Sequence, residues 1–257
     1  GCGVQCQRHF QDKFRWNSSN LPEWNATEFC NRLGDRRILM IGDSTMSQAA
    51  TTLMNAAHHD GGQCQTQMSF FLSDTLLNRE YGNLNRGEHW LDLVANHSKR
   101  DNDIVVLTVG GHVLKQRDLT RVSNTVIDQM VELRKKRPGL QFVYKSQQPG
   151  GCSSQIANVS WTPWEAARKF PWKRKLYNFN YPFLYDYDES TIRQLQAHGI
   201  PFLDMRMLYS RSDAHPYSRG RGRVTDCLHF CSPGPLDVFP SLFMRLLQQN
   251  FAVPQCI

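Results

Sequence analysis

Three short apolar runs limit what this chain can fold into. Residues 37–42 (RILMIG), 103–109 (DIVVLTV) and 140–145 (LQFVYK) are too short for helices and are apolar almost throughout. A strand that is apolar on both faces is buried on both faces, as inside a parallel sheet. The stretches after them have helical periodicity. Met46, Ala49, Ala50, Leu53 and Met54 share one stripe. Leu119, Val122, Val126, Met130 and Leu133 share another over 118–135, which Pro138-Gly139 ends. A helix over 188–198, closed by Gly199, leads to a short strand at 200–204, and a last helix over 236–249 turns Leu242, Phe243, Leu246 and Leu247 inward. Strands alternating with helices give an α/β protein whose parallel sheet is covered on both faces. Residues 60–100 and 147–187 show no clean pattern, and no element is assigned there.

At 257 residues, with 40% hydrophobic and 21% charged residues, the chain fits one globular domain. No apolar run reaches the roughly 18 residues that span a bilayer. The chain begins Gly1-Cys2-Gly3, which reads as a processed ectodomain and leaves room for a membrane anchor outside this sequence. The eight cysteines, Cys2, Cys6, Cys30, Cys64, Cys152, Cys227, Cys231 and Cys256, are even in number and spread from end to end, without zinc-finger spacing. Sequons stand at Asn17, Asn25, Asn96 and Asn158. Together these point to disulfides and N-glycans, hence to a Golgi-lumenal or secreted protein, against the alternative of a reduced cytosolic one. Residues 1–35 read as a disulfide-tied lead-in. The formal net charge of +7 is concentrated at 134–137, 168–175 and 219–223, which reads first as a solvated basic face, with steering of an anionic glycan, a nucleic acid or a membrane surface as the alternatives. No nucleic-acid-binding module accompanies the charge, and no nucleic-acid partner is expected.

Ligands in open parallel sheets bind beyond the carboxyl ends of the strands. Gly42-Asp43-Ser44 falls after the first core strand, Gly111 and His112 after the second. Ser44 at a strand-to-helix turn has two readings: an N-cap shared with Asp43, or a nucleophile whose own backbone N–H faces the developing oxyanion. The G-x-S-x-G elbow of α/β-hydrolases is absent. Asp226-Cys227-Leu228-His229-Phe230-Cys231 carries more information. A carboxylate three residues from an imidazole can fix its tautomer, and two cysteines can pin the loop. A competing reading makes Cys227, His229 and Cys231 zinc ligands, but a fourth ligand is missing and no metal or cofactor is expected. His58, His59, His89, His97 and His198 read as surface or packing residues. Trp161, Trp164 and Trp172 read first as packing residues, with sugar stacking as the alternative.

Three segments together, Gly42-Asp43-Ser44, Asp213-Ala214-His215-Pro216 and the run from Asp226 to Asp237 (DCLHFCSPGPLD), resemble the GDSL/SGNH superfamily. Within it they resemble the plant trichome-birefringence-like proteins of PC-esterase type, as does Arg15-Trp16 upstream of Cys30. The chain departs from those proteins in having Val109-Gly110-Gly111-His112-Val113 where they commonly have Thr-Gly-His-Trp-Trp: His112 matches the histidine and the tryptophans are missing. It also keeps only Gln48 of an Arg-Asn-Gln triplet after the serine. The resemblance implies a three-layer α/β/α sandwich forming a single domain over 1–257. It also implies a triad of Ser44, Asp226 and His229, with Gly111, His112, Gln48 and His215 near the oxyanion or substrate. The implied activity is acetyl transfer from an acetyl donor to hydroxyls of a polysaccharide or glycan through a serine acyl-enzyme. Two alternatives stand beside it: a carbohydrate acetylesterase with the same triad, and a noncatalytic glycan-binding or structural protein of the same fold.

Overall fold

The computed structural model describes residues 21–59, 61–77, 87–113, 116–150, 161–169, 181–211, 214–215, 228–232 and 234–252. Among them five parallel strands form one sheet in the order β2-β1-β3-β4-β5: β1 Ile38–Gly42, β2 Met68–Leu72, β3 Ile104–Leu107, β4 Gln141–Lys145 and β5 Phe202–Leu203. The helices are α1 Ala26–Leu33, α2 Ser44–His59, α3 Trp90–His97, α4 Gln116–Lys136, α5 Pro163–Lys169, α6 Tyr181–Ala197 and α7 Val238–Gln248.

Alternation along the strands sorts the helices into two layers. Ile38 and Met40 of β1, Ile104 and Val106 of β3, and Val143 of β4 pack with Phe29 and Leu33 of α1, Leu53 of α2 and Phe243 of α7. Ile41, Val105, Leu107, Phe142 and Tyr144 point the other way, into Trp90 of α3, Val122 and Val126 of α4 and Leu195 of α6. The result is a three-layer α/β/α sandwich. β1 lies between β2 and β3, in register Ile38↔Met68 and Ile38↔Ile104, so the turn after β1 opens at the middle of the sheet's carboxyl edge. Gly42 permits that turn: a Cβ there would lie 2.6 Å from Thr108 Cγ2 and 2.9 Å from Met46 Cβ.

The three apolar runs become β1, β3 and β4. The helix expected at 188–198 begins earlier, at Tyr181, and the strand expected at 200–204 shortens to two residues. The final helix is preceded by a 3₁₀ turn at Pro235–Asp237. The stretch expected to lack pattern, 60–100, supplies β2 and α3. The end of the lead-in holds α1, whose N-cap Asn25 accepts a hydrogen bond from Glu28 N at 2.8 Å. Gly34, at φ 63°, closes α1 in the left-handed region.

A disulfide, Cys30–Cys64, ties α1 to the segment after α2. Cys231 is disulfide-bonded too. Cys2, Cys6, Cys152, Cys227 and Cys256 lie outside the described residues, as do Asn17 and Asn158. Asn25 and Asn96 are both exposed. No helix among the described residues is long and apolar enough to cross a membrane.

Candidate active site

Ser44 is the first residue of α2, directly after β1. Asp43 does the capping: its Oδ1 accepts from Thr45 N at 2.8 Å and from Thr45 Oγ1 at 2.6 Å. The N-cap reading therefore belongs to Asp43, which leaves the Ser44 hydroxyl for another partner. That partner is His229, whose Nε2 lies 2.8 Å from Ser44 Oγ across 185 positions of sequence. With the ring proton on Nδ1, the hydroxyl donates to Nε2, the arrangement in which an imidazole can take the serine proton. Asp226, expected to hold Nδ1–H, lies outside the described residues.

The peptide that carries His229 is gripped from both sides. The Gln48 carboxamide forms a two-bond ring with Phe230: Nε2 donates to Phe230 O, and Oε1 accepts from Phe230 N at 3.0 Å. Gln148 Nε2 donates to the same Oε1 at 3.0 Å. From the other side His215 Nδ1 lies 2.7 Å from His229 O, with its ring 4.4 Å from that of Phe230, and Cys231 N donates to Ala214 O at 2.8 Å. The sequence reading put Gln48 and His215 near the oxyanion or substrate. In the structure the Gln48 carboxamide and His215 Nδ1 bind the backbone of the histidine loop. The loop closes at Gly234, where a Cβ would meet Cys231 O at 2.3 Å and where the N–H donates to Asp237 Oδ2 at 2.8 Å. The Cys-Ser-Pro-Gly-Pro-Leu-Asp spacing thus has a mechanical reason. With Cys231 in a disulfide, the zinc reading loses a thiolate ligand.

Gly111 and His112 follow β3, one strand from Ser44, and Gly111 is buried. His112 Nε2 stands 3.9 Å from Oδ1 of Asp74, whose side chain is fully buried just past β2. Asp74 and His112 therefore come from the two strands that flank β1. Sequence reasoning missed Asp74, because β2 itself was not legible. It also missed Gln147 and Gln148. Gln147 follows β4, packs where a Cβ on Gly110 would sit (2.5 Å) and donates from Nε2 to Thr45 Oγ1 at 3.1 Å. The signal was available: Ser146-Gln147-Gln148 is a polar triplet directly after an apolar strand, and all three are fully buried.

Beneath the turn lies a buried ionisable cluster. Burial lowers the Lys145 ammonium to about 8, against the pull of Asp43 and Asp188. Burial also pushes the Asp188 carboxyl well above its ordinary value and the Tyr187 phenol up to about 12.

No family model matches the chain, and no curated protein matches it. Among solved structures, it resembles the periplasmic domain of the lipopolysaccharide acetyltransferase of Salmonella ser. Paratyphi A. The TM-score is 0.50 at 16% identity, over 86% of this chain and 85% of that one. A GDSL-like lipase from Bacteroides thetaiotaomicron VPI-5482 aligns with TM-score 0.48 at 13% identity, over 84% of this chain and 89% of that one. Phospholipase A1 from Streptomyces albidoflavus NA297 aligns with TM-score 0.42 at 13% identity, over 84% and 99%. These likenesses show the fold alone, a three-layer α/β/α sandwich.

Proposed function

We propose that the chain is a serine-dependent acyltransferase that moves acetyl groups onto hydroxyls of a polysaccharide or glycan. The observation that carries this reading is the 2.8 Å contact between Ser44 Oγ and His229 Nε2 at the carboxyl edge of the sheet. A noncatalytic protein of the same fold has no need of that contact.

In the proposed reaction His229 takes the hydroxyl proton as Ser44 Oγ bonds to the carbonyl carbon of an acetyl ester. The oxyanion is met by the Ser44 N–H at the start of α2 and by the Gly111 N–H. The donor alcohol leaves with the proton from His229. A sugar hydroxyl then gives its proton to His229, attacks the acetyl-serine and leaves as the O-acetyl sugar, and the proton returns to Ser44. With water in place of the sugar, the same acetyl-serine releases acetate, which is the esterase outcome. The role of Asp226 as orienter of His229 rests on the motif resemblance, as does the choice of acetyl group and glycan. The Cys30–Cys64 disulfide and the exposed Asn25 and Asn96 support synthesis through the secretory route.

The test is a donor ester with a glycan panel, scored by mass spectrometry for acetyl-enzyme, acetylated sugar and acetate. Ser44→Ala is expected to abolish the acetyl-enzyme and to lower turnover by about three orders of magnitude or more. Full acetyl release by the variant would end the proposal. Acetate alone, with every glycan present, selects the esterase.

A further inference from the structure

The flank formed by α4 and α6 carries a cleft of about 220 Å³ outside the machinery already described. Its walls follow helical spacing. Phe183, Asp186, Ser190 and Gln194 of α6 face Thr120 and Asn124 of α4. The helices come close at the floor because the residues there are small: Ser123 Oγ lies 3.4 Å from Thr191 Oγ1. The cleft opens between the longer side chains around them.

The lining selects a ligand class. Its surface is more apolar than polar, and its polar groups are mainly hydroxyls and carboxamides, each of which both donates and accepts. Among its described lining residues there is no lysine or arginine, which disfavours phosphates and carboxylates. Asp186 is the one acid among its described lining residues, and Arg168 pairs with it at 2.8 Å. That same guanidinium stacks 4.2 Å over the ring of Trp164. Trp164 and Phe183, 51% and 36% exposed, are the exposed large hydrophobic residues among those described, and Asp186 and Arg168 connect them. Neutral hydrogen-bonding groups beside exposed aromatic faces match a sugar ring, with its hydroxyl rim and apolar C–H faces.

Topology gives the cleft its direction. α4 leaves the carboxyl end of β3 and α6 runs toward the amino end of β5, so both helices start at the end of the sheet that holds Ser44. The cleft residues come mostly from those starting halves. We infer that this cleft is a carbohydrate subsite that holds a neutral sugar unit of the acceptor chain away from the reacting hydroxyl. Its purpose rests on the reading of Ser44 as the acylated residue; its ability to bind does not.

The test measures neutral oligosaccharide binding by calorimetry on the Ser44→Ala protein, alone and combined with Asn124→Ala/Gln194→Ala, Phe183→Ala or Trp164→Ala. Binding is expected to weaken at least tenfold in the first two combinations and severalfold in the third. In the Ser44 protein, the same cleft changes should leave hydrolysis of a small acetyl ester within twofold and raise KM for a polymeric acceptor. Oligosaccharide binding unchanged by the cleft variants, or binding confined to acidic oligosaccharides, overturns the inference. If small-ester turnover survives Ser44→Ala while the cleft variants lose sugar, the catalytic reading falls and the subsite stands. The reverse pattern removes only the subsite.

Discussion

At the scale of single residues, the site depends on side chains that do no chemistry in the proposed reaction. Gln48 satisfies both polar groups of the Phe230 peptide, and that peptide is the backbone neighbour of His229. Removing the carboxamide leaves a buried N–H and C=O unpaired, which costs about 1–3 kcal/mol. A displacement of the imidazole by about 1 Å lowers the rate by roughly a hundredfold. Gln48→Ala is therefore expected to lower kcat about 10- to 100-fold with KM for a small ester little changed, as steady-state kinetics on a folded variant would read. Gln48→Glu keeps the acceptor for Phe230 N but loses the donor to Phe230 O, and should be impaired as well. A change in KM alone would place Gln48 in substrate binding, where the sequence reading put it.

At the scale of elements, legibility in the sequence followed burial. β1, β3 and β4 read clearly because both their faces are covered, and an uninterrupted apolar run has few other uses. β2 stayed hidden: four of its five residues are only partly buried, and it is an edge strand. α1 and α3, with eight residues each, offer two turns of periodicity, too few to stand out among polar neighbours. Ser44 and His229 were legible through motifs, while Asp74 depended on the unseen strand and Gln147 on a contact between strand ends. Nothing in the sequence set Lys145 apart as buried, because a lysine closing a strand normally reaches water. Its lowered pKa makes a prediction about stability. Below about pH 8 the lysine is protonated both folded and unfolded, so burial of the charge opposes folding at full size. Between about 8 and the ordinary 10.5 the folded protein releases the proton while the unfolded chain keeps it, so stability rises with pH. The full window corresponds to about 3 kcal/mol. Urea unfolding at about pH 7.5 and 9.5 should show the rise in the unaltered protein and lose it in Lys145→Met. Equal slopes would mean that the ammonium is not held in a dry site.

At the scale of the whole molecule, charge and cleft ask for different things. The net charge of +7 acts over a Debye length, about 8 Å at physiological ionic strength, whereas the α4–α6 cleft reads a ligand at contact. In the basic run at 134–137, Arg134 donates to the carbonyls of Gly199 and His198, and Arg137 donates to those of Ser98 and Arg100. Those bonds fix the guanidinium groups in place; Arg137 also pairs with Asp101 at 3.3 Å, while the carbonyls bound by Arg134 leave its charge standing. Lys135 pairs with Glu132. The run is thus a structural brace that still adds to the positive field. Such a field raises the encounter rate with an acidic polymer and barely touches a neutral one. Acetyl transfer to an acidic polysaccharide is therefore expected to show a kcat/KM that falls severalfold between about 0.02 and 0.5 M salt. On a neutral polysaccharide it should stay within twofold. Oligosaccharide binding to the cleft should be equally indifferent to salt, because the charged residue among its described lining, Asp186, is paired with Arg168. Matching salt curves for the two polymers would remove steering from the account, and acceptor choice would then rest on contact chemistry alone.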